Sequence, residues 1–421
     1  MIHSLEIRDS ATVDRAGQLL TDFMKLPSEE SVPLEEAAGR VLARDLVSPF
    51  PLPPFRRAAM DGYAVRFDAV RLASPHTPVQ LTVIDEIKPG SGIDLAAAAP
   101  GKNTALRIFT GAPVPDGYDT VVMQEMAMCA GGREQLRRIR LDRPCRAGQH
   151  VAESGEDVPE GEILLTQGTR IGAKETAILA SFGLCEAVVY KKPKVSIIPI
   201  GDELIVPGKK LAWGQIYDAN GFMLAARLKE LGAAVTRHEP VRDELHSIKA
   251  AIRQAAVEAD VIVTTGGVSV GDYDFAKQAA LSLGGLPLFT KVLMRPGTPT
   301  SAFKLGSRPL LCLSGNPSAC FAGLELLLCP AVRRASGLRE YELNWREGRL
   351  SRSINKPCPY PRYIRAYVSV NEEGPWQVEP LPNDKSGNVA AFGRANALAC
   401  IPAGGGGAVQ GQKVRWLSLS I

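Results

Sequence analysis

Between residues 194 and 335, short apolar runs alternate with longer amphipathic segments, and this alternation allows few architectures. The apolar runs have the length and branched composition of buried strands, whereas the segments between them carry apolar residues at helical spacing. Strands that alternate with helices in this way form a parallel sheet with helical crossovers. The pattern predicts strands over 195–200, 233–238, 260–265 and 310–313, and helices over 221–231, 244–258, 274–283 and 317–329.

The N-terminal part of the chain has a helical pattern that ends at a stiff connector. Apolar residues spaced three and four apart predict helix within 12–45, most clearly over 28–41. Prolines crowd residues 49–55, and each proline restricts its own backbone and that of the preceding residue, so a boundary is expected there. A further helix is predicted over 173–182, where Gly183 ends it.

Short β-like runs separated by glycine and proline turns occupy 60–145 and 340–421, a spacing typical of small β-rich domains. In the first stretch, strands are predicted over 63–65, 79–87, 104–109, 120–124 and 135–141. The fold class is therefore a multidomain α/β protein. The predicted domains are an N-terminal mixed domain (1–48 and 147–190), an inserted β-rich domain (49–146), a central α/β domain (191–337) and a C-terminal β-domain (338–421).

Composition and charge exclude several classes of protein. The net charge of +4 is small for 421 residues, and no basic block suggests nucleic-acid binding. Neither a signal-peptide apolar stretch nor a run of about 18 apolar residues occurs, so a soluble, cytoplasmic protein without a membrane partner is expected. The eight cysteines form no CxxC or zinc-site spacing and are predicted to be reduced, buried thiols, with a catalytic cysteine as the alternative.

Three loops that follow predicted strands carry glycines and polar residues. Ligands of open parallel sheets bind at the carboxyl ends of the strands, so these loops are expected to form one site. Glycine allows close backbone approach, and a helix beginning at Pro317 offers free N–H donors, with Asn316 or Ser314 as its cap. Together with the hydroxyls of Thr265 and Ser269, these features favour an anionic ligand.

The same loops contain the carboxylates Asp202, Glu203, Asp272 and Asp274, which would repel a phosphate. They are explained if Mg²⁺ lies between, because this ion binds hard oxygen ligands and is shared with substrate phosphate. The alternative is that they are helix caps or solvated turn residues. No GxGxxG follows the first strand and no GxxxxGK[ST] occurs, so neither a dinucleotide fold nor a Walker loop is indicated.

A second set of polar residues precedes this domain. Asp61 follows the proline connector, Thr110 lies in a rigid proline-containing turn, and Asp157 precedes a Pro-Glu-Gly turn. Each by itself is compatible with ordinary turn chemistry.

Several long segments resemble the molybdopterin molybdenumtransferase family, the molybdenum insertases related to the C-terminal domain of gephyrin. In chain order they are PLPPFRRAAMDGYAVR (51–66), FTGAPVPDGYDTVVMQE (109–125), GEDV (155–158), IPIGDEL (198–204), GQIYDANGFML (214–224), DVIVTTGGVSVGDYDFAK (260–277) and LSGNPSACFAG (313–323).

The resemblance implies a homodimer of elongated, four-domain subunits, with a cleft between the α/β domain of one subunit and the Asp61-bearing domain of the other. It implies that molybdate is inserted into adenylylated molybdopterin, with Mg²⁺ and release of AMP. It also implies partners among molybdopterin adenylyltransferases and proteins that mature molybdenum enzymes. A molybdopterin adenylyltransferase and a non-catalytic pterin carrier or scaffold are the alternative functions.

The resemblance also implies roles for individual residues. Glu203 and Asp274 match catalytic and Mg²⁺-linked positions. The other implied catalytic residues are Asp61, Thr110, Asp157 and Asp243. The implied substrate-binding residues are Thr265, Gly266, Gly267, Ser269, Ser314, Gly315, Asn316, Pro317, Lys291, Arg295 and Thr298.

One segment departs from the family pattern, which often reads K-x-x-x-K-P-G-K-P. Here Lys291 is kept, Arg295 replaces the second lysine and Thr298 the third. Arginine still binds an oxyanion, whereas threonine keeps only a hydroxyl. The oxyanion site is then weaker, differently placed, or completed by another cation, with Arg56, Arg57 and Arg365 as candidates, and tungstate remains an alternative to molybdate.

Overall fold

A computed structural model describes residues 10–90, 101–129, 138–268, 274–370, 374–382, 385, 387–404 and 406–419. The chain packs as two compact units. The first is drawn from Met1–Arg44, Gln167–Leu179 and Leu184–Ile421, and the second from Asp45–Thr166 and Ala180–Gly183.

The centre of the first unit is a six-stranded sheet. Its strands are β1 (Lys194–Pro199), β2 (Ala234–Arg237), β3 (Val261–Thr265), β4 (Leu286–Phe289), β5 (Ser301–Leu305) and β6 (Arg308–Leu313). Across the sheet they lie in the order β2-β1-β3-β6-β5-β4. Strands β2, β1, β3 and β6 are parallel, as the alternation predicts. The prediction of a wholly parallel sheet is wrong, however. The chain turns back at Gly306 (φ +60°), so that β5 pairs antiparallel with β6, and β4 in turn pairs antiparallel with β5.

Helices cover both faces of this sheet. They are α1 (Ala219–Glu230), α2 (Leu245–Glu258), α3 (Phe275–Ser282), α4 (Pro317–Gly323) and α5 (Cys329–Ala335), with a π-helical turn at Leu324–Leu328. One face packs on α2 and α3, and the other on α1, the π-helical turn and the N-terminal helix Val13–Phe23. The predicted helix 317–329 therefore continues to Ala335. Pro330 has no N–H to donate to the preceding turn, which is consistent with the wider turn before it.

The predicted helix over 28–41 is wrong. Residues Glu29–Pro33 form a strand paired antiparallel with Glu186–Tyr190, and a 3₁₀ turn follows at Leu34–Glu36. Pro33 supplies no helical N–H and favours an extended backbone before it, so pairing with a distant strand prevails over the helical spacing. The helix predicted over 173–182 is confirmed as Ala173–Ser181.

The first unit ends in a closed five-stranded barrel, which confirms the C-terminal β-domain. A 3₁₀ segment, Val389–Arg394, lies in the connection between the barrel strands Gln377–Pro380 and Ala397–Ile401. The barrel strands are Arg346–Leu350, Arg362–Ser369, Gln377–Pro380, Ala397–Ile401 and Lys413–Ser418. Two short parallel pairs complete the unit: Ser10–Ala11 with Lys291–Val292, and Leu204–Ile205 with Ile216–Tyr217.

The second unit is β-rich, as predicted. Its main sheet contains, in spatial order, Thr120–Met123, Gly62–Val65, Thr104–Ile108, Val79–Ile87, Arg138–Leu141 and Met128–Cys129. Its remaining elements are the helices Phe67–Val70 and Gln124–Met126 and the strand pairs Arg57–Ala58 with Val151–Ala152 and Leu46–Val47 with Ile163–Leu165. Over the described part of the chain, no helix is both long and apolar enough to cross a bilayer.

Candidate functional site

The loops after β1, β3 and β6 surround one cavity of about 300 Å³, here called the strand-end cavity. This arrangement confirms that the three loops meet at one edge of the sheet. The predicted residues that line it are Glu203, Asp243, Thr265, Gly266, Gly267, Ser314, Gly315, Asn316 and Pro317. Ser269 and Asp272 lie outside the described residues.

Glycine is required where these loops meet. Gly266 has φ +88°, and a Cβ there would lie 2.1 Å from the carbonyl oxygen of Ile200. A Cβ on Gly315 would lie 3.3 Å from the Cα of Gly266. Any side chain at position 266 would force the backbones apart, so the cavity keeps its shape only with glycine there.

Two buried polar residues join this edge to α1. Asp218 accepts a hydrogen bond from the N–H of Gly221 at 2.7 Å and so caps the helix. Asn220 donates from Nδ2 to the carbonyl oxygen of Gly315 at 2.8 Å and to Oγ1 of Thr265 at 3.2 Å. In the sequence, this segment contributes only to the family resemblance, and neither residue is predicted as part of the site. An Asp two residues before a helical asparagine was the available signal.

Glu203 and Asp243 line the cavity, and the carboxylates of Asp202 and Asp274 lie close enough to Asp243 to interact with it. Burial raises the pKa of Asp243, and the nearby carboxylates of Asp202 and Glu203 raise it further. Its Oδ1 is buried and has no hydrogen-bond partner. Asp274 caps α3 by accepting from the N–H of Lys277 at 3.1 Å, while burial raises its pKa to about 6, with a smaller contribution from Asp243. Within the described ranges, no three His, Cys, Asp or Glu side chains are placed to hold a metal by themselves.

The loop before α4 differs in detail from the prediction. Pro317 occupies the start of the helix, as expected. Asn316 stands at the cap position, but its side chain makes no capping hydrogen bond, and its N–H donates to Ser314 Oγ at 3.2 Å. The predicted side-chain cap by Asn316 is therefore wrong, and the exposed side-chain amide of Asn316 lies at the cavity wall.

A second, larger cavity of about 840 Å³ lies in the same unit and is strongly basic; it is here called the basic cavity. Its cationic lining residues are Arg295, Arg352, Lys356, Arg362 and Lys385. Arg362 Nε and the hydroxyl of Ser318 are buried there without hydrogen-bond partners. Of the lining cations, only Arg295 was identified from the sequence, because the other four come from the distant barrel domain.

The remaining predicted oxyanion residues are used differently. Lys291 Nζ lies 5.9 Å from the ring centre of Tyr360, and Thr298 Oγ1 donates to the carbonyl oxygen of Met294 at 2.6 Å. Arg365 is fully buried and donates to the carbonyl oxygen of Asn388 at 2.6 Å. The hydroxyl of Thr298 and the guanidinium of Arg365 therefore hold the protein's own backbone.

In the second unit, Asp61 and Thr110 are brought together. Asp61 Oδ1 accepts from the N–H of Thr110 at 2.8 Å and from its hydroxyl at 2.7 Å, and these bonds lower the pKa of Asp61. Asp157 instead pairs with Arg57 at 3.2 Å. Arg56 lies 3.6 Å from Asp116.

Known proteins match the chain over nearly its full length. Family models described as MoeA N-terminal region (domain I and II), probable molybdopterin binding domain and MoeA C-terminal region (domain IV) match residues 11–183, 196–334 and 347–419. The molybdopterin molybdenumtransferase of Bacillus subtilis is 37% identical over 98% of this chain and 95% of its own length. That of Staphylococcus aureus strain COL is 33% identical over 97% and 96%. The crystal structure of a molybdopterin biosynthesis MoeA protein from Pyrococcus horikoshii has TM-score 0.85 and 31% identity, covering 98% of this chain and all of that one.

Proposed function

Because this chain belongs to the molybdopterin molybdenumtransferase family and is a transferase of molybdenum cofactor biosynthesis, we propose that it transfers molybdenum from molybdate to adenylylated molybdopterin and releases AMP. One observation carries the proposal. Pro317 lines the strand-end cavity and the next residue, Ser318, lines the basic cavity. The strand-end cavity, which suits a phosphate, and the basic cavity, which suits a second oxyanion, are therefore lined by consecutive residues.

The strand-end cavity is proposed to hold the phosphate linkage of the substrate. The support is its glycine loops, the exposed Asn316 amide and the hydroxyl of Ser314, which together offer donors at close range.

The basic cavity is proposed to hold molybdate. A tetrahedral oxyanion would pair with Arg295 and Arg362 and could accept from the buried Nε of Arg362 and the hydroxyl of Ser318, neither of which has a partner. Hydrogen bonds between charged groups are the strongest in proteins, so this pairing would offset their desolvation.

The carboxylates of Glu203 and Asp243 in the strand-end cavity fit a Mg²⁺ ion shared with the substrate. The support is the partnerless Oδ1 of Asp243 and the raised pKa values of Asp243 and Asp274, since a nearby cation would stabilise the ionised form of both carboxylates. Glu203 and Asp243 line the cavity and Asp274 lies near Asp243, so these carboxylates would share the ion with substrate phosphate and water rather than enclose it by themselves. When bound, Mg²⁺ polarises the phosphoanhydride and neutralises its charge.

In the proposed reaction, an oxygen of molybdate attacks the adenylyl phosphorus, and the bond to the molybdopterin phosphate breaks. The dithiolene sulfurs then take the metal, and the attacking oxygen leaves with AMP. The chain's own residues orient the two anions. From the family resemblance, we also propose that Asp61 and Thr110 complete the site from a second subunit of a homodimer.

The test is the release of AMP from adenylylated molybdopterin by the purified protein. We expect release only when both molybdate and Mg²⁺ are added. Release that ignores molybdate would contradict the proposal. Formation of adenylylated molybdopterin from ATP and bare molybdopterin would identify an adenylyltransferase, and binding without any AMP release a carrier.

Replacing Arg362 with Met is expected to raise the molybdate concentration needed for half-maximal AMP release by about 10- to 100-fold, the value of a hydrogen bond to a charged group. The substitution keeps much of the side-chain length and removes the charge. Arg349→Met, at an exposed arginine of the same barrel outside the cavity, is the matched control. An equal molybdate dependence in the two variants would show that Arg362 does not bind the oxyanion.

A further inference from the structure

A third cavity, of about 250 Å³, adjoins the strand-end cavity and differs from it in character. It is here called the apolar cavity. Ala219, Asn220 and Pro317 line both cavities, so the two are neighbours. Pockets for drug-sized ligands begin at about 300 Å³, so this space suits one ring system rather than a whole nucleotide-like substrate.

The other walls of the apolar cavity are suited to a flat ring. Phe321 and Phe392 lie with their ring centres 4.9 Å apart, and Met223 also lines the cavity. Val389 lies at the wall and is 44% exposed although it is a large apolar residue. Aromatic and thioether groups favour contact with aromatic rings.

Asn220 is the one polar side chain among the described residues that line this cavity. It is only 9% exposed, and its Nδ2 is already engaged with Gly315 and Thr265. Its Oδ1 is buried and accepts no hydrogen bond. A buried acceptor without a partner is costly, so a donor brought by a ligand would satisfy it.

We propose that the apolar cavity is the subsite for a flat, amino-substituted nitrogen heterocycle of the substrate, whose amino group donates to Asn220 Oδ1. This inference rests on the proposed function, which places a phosphate in the strand-end cavity. Adenylylated molybdopterin has two rings of this chemistry, the pterin and the adenine. Each is linked to the phosphate groups, and the experiment separates them.

The experiment measures equilibrium binding of two ligand pairs to the full chain. AMP is compared with inosine monophosphate, and pterin with lumazine; in each pair an oxo group replaces the amino group. We expect one amino-bearing ligand to bind about tenfold more tightly than its oxo counterpart, because the oxo group leaves Asn220 Oδ1 without a donor. The pair that shows the difference identifies the ring.

Val389→Trp, which fills the cavity, is expected to abolish this preference. Val409→Trp, the same change at a 63% exposed valine outside the cavity, should keep it. Lack of preference in both pairs, or a preference that survives Val389→Trp, would overturn the subsite. Wild-type AMP release separates the two ideas. Normal release without a ring preference refutes only the subsite, whereas a Val389-dependent preference without any release refutes only the proposed function.

Discussion

Asp274→Asn is expected to lower molybdate-dependent AMP release by about a hundredfold or more, the loss typical when a charged catalytic group is removed. Asparagine keeps an oxygen that can accept from the N–H of Lys277, so the cap of α3 is retained. Only the negative charge beside Asp243 is lost. The measurement is the initial rate of AMP release at saturating molybdate and Mg²⁺.

The matched control is Asp260→Asn. Asp260 is exposed and immediately precedes the N-terminal end of β3, away from the strand-end cavity. It accepts a hydrogen bond from the N–H of Lys194 at 2.8 Å, which an asparagine side chain can also accept. Its AMP release should equal that of the unmodified protein. A rate for Asp274→Asn within a few-fold of this control would show that the charge of Asp274 has no part in the reaction.

Arg227→Met is expected to destabilise the first unit by about 3–5 kcal/mol, the usual result of leaving one member of a buried ion pair alone. Arg227 and Glu325 are 8% and 6% exposed, and Arg227 Nε donates to Glu325 Oε1 at 2.9 Å. Burial opposes the charge of Arg227, but attraction to Glu325 dominates and raises its pKa. Without the arginine, the buried carboxylate of Glu325 loses the guanidinium that it accepts from.

The double variant Arg227→Met/Glu325→Leu should recover most of this loss, because apolar groups of similar size often replace a buried pair at little cost. The measurement is the urea midpoint of the transition of the first unit. Arg253→Met, at an exposed arginine on α2, is the control and should leave the midpoint unchanged. A double variant no more stable than Arg227→Met would show that the pair contributes through something other than paired charge.

Local pattern was sufficient for the helices and the four parallel strands of the central domain, but it did not predict the antiparallel strands β4 and β5. The C-terminal end of α1 near Gly232 and the limits of β3 (Val261–Thr265) follow from the spacing of apolar residues and from turn residues within a few positions. The sequence therefore predicted these boundaries closely. The helix over 28–41 was predicted wrongly, because its strand Glu29–Pro33 depends on Glu186–Tyr190, more than 150 residues away. Spacing within one segment carries no information about such a partner.

The same distinction applies to the site. The alternation of strands and helices implied that the loops after β1, β3 and β6 share an edge, because parallel strands place their carboxyl ends together. Local sequence did not reveal Arg362 in the basic cavity or the partnerless Oδ1 of Asn220, since both depend on side chains packed from distant segments. Chain pattern thus determines which residues end a strand or begin a helix. Burial, and the unpaired atoms that it creates, exist only after the chain has folded on itself.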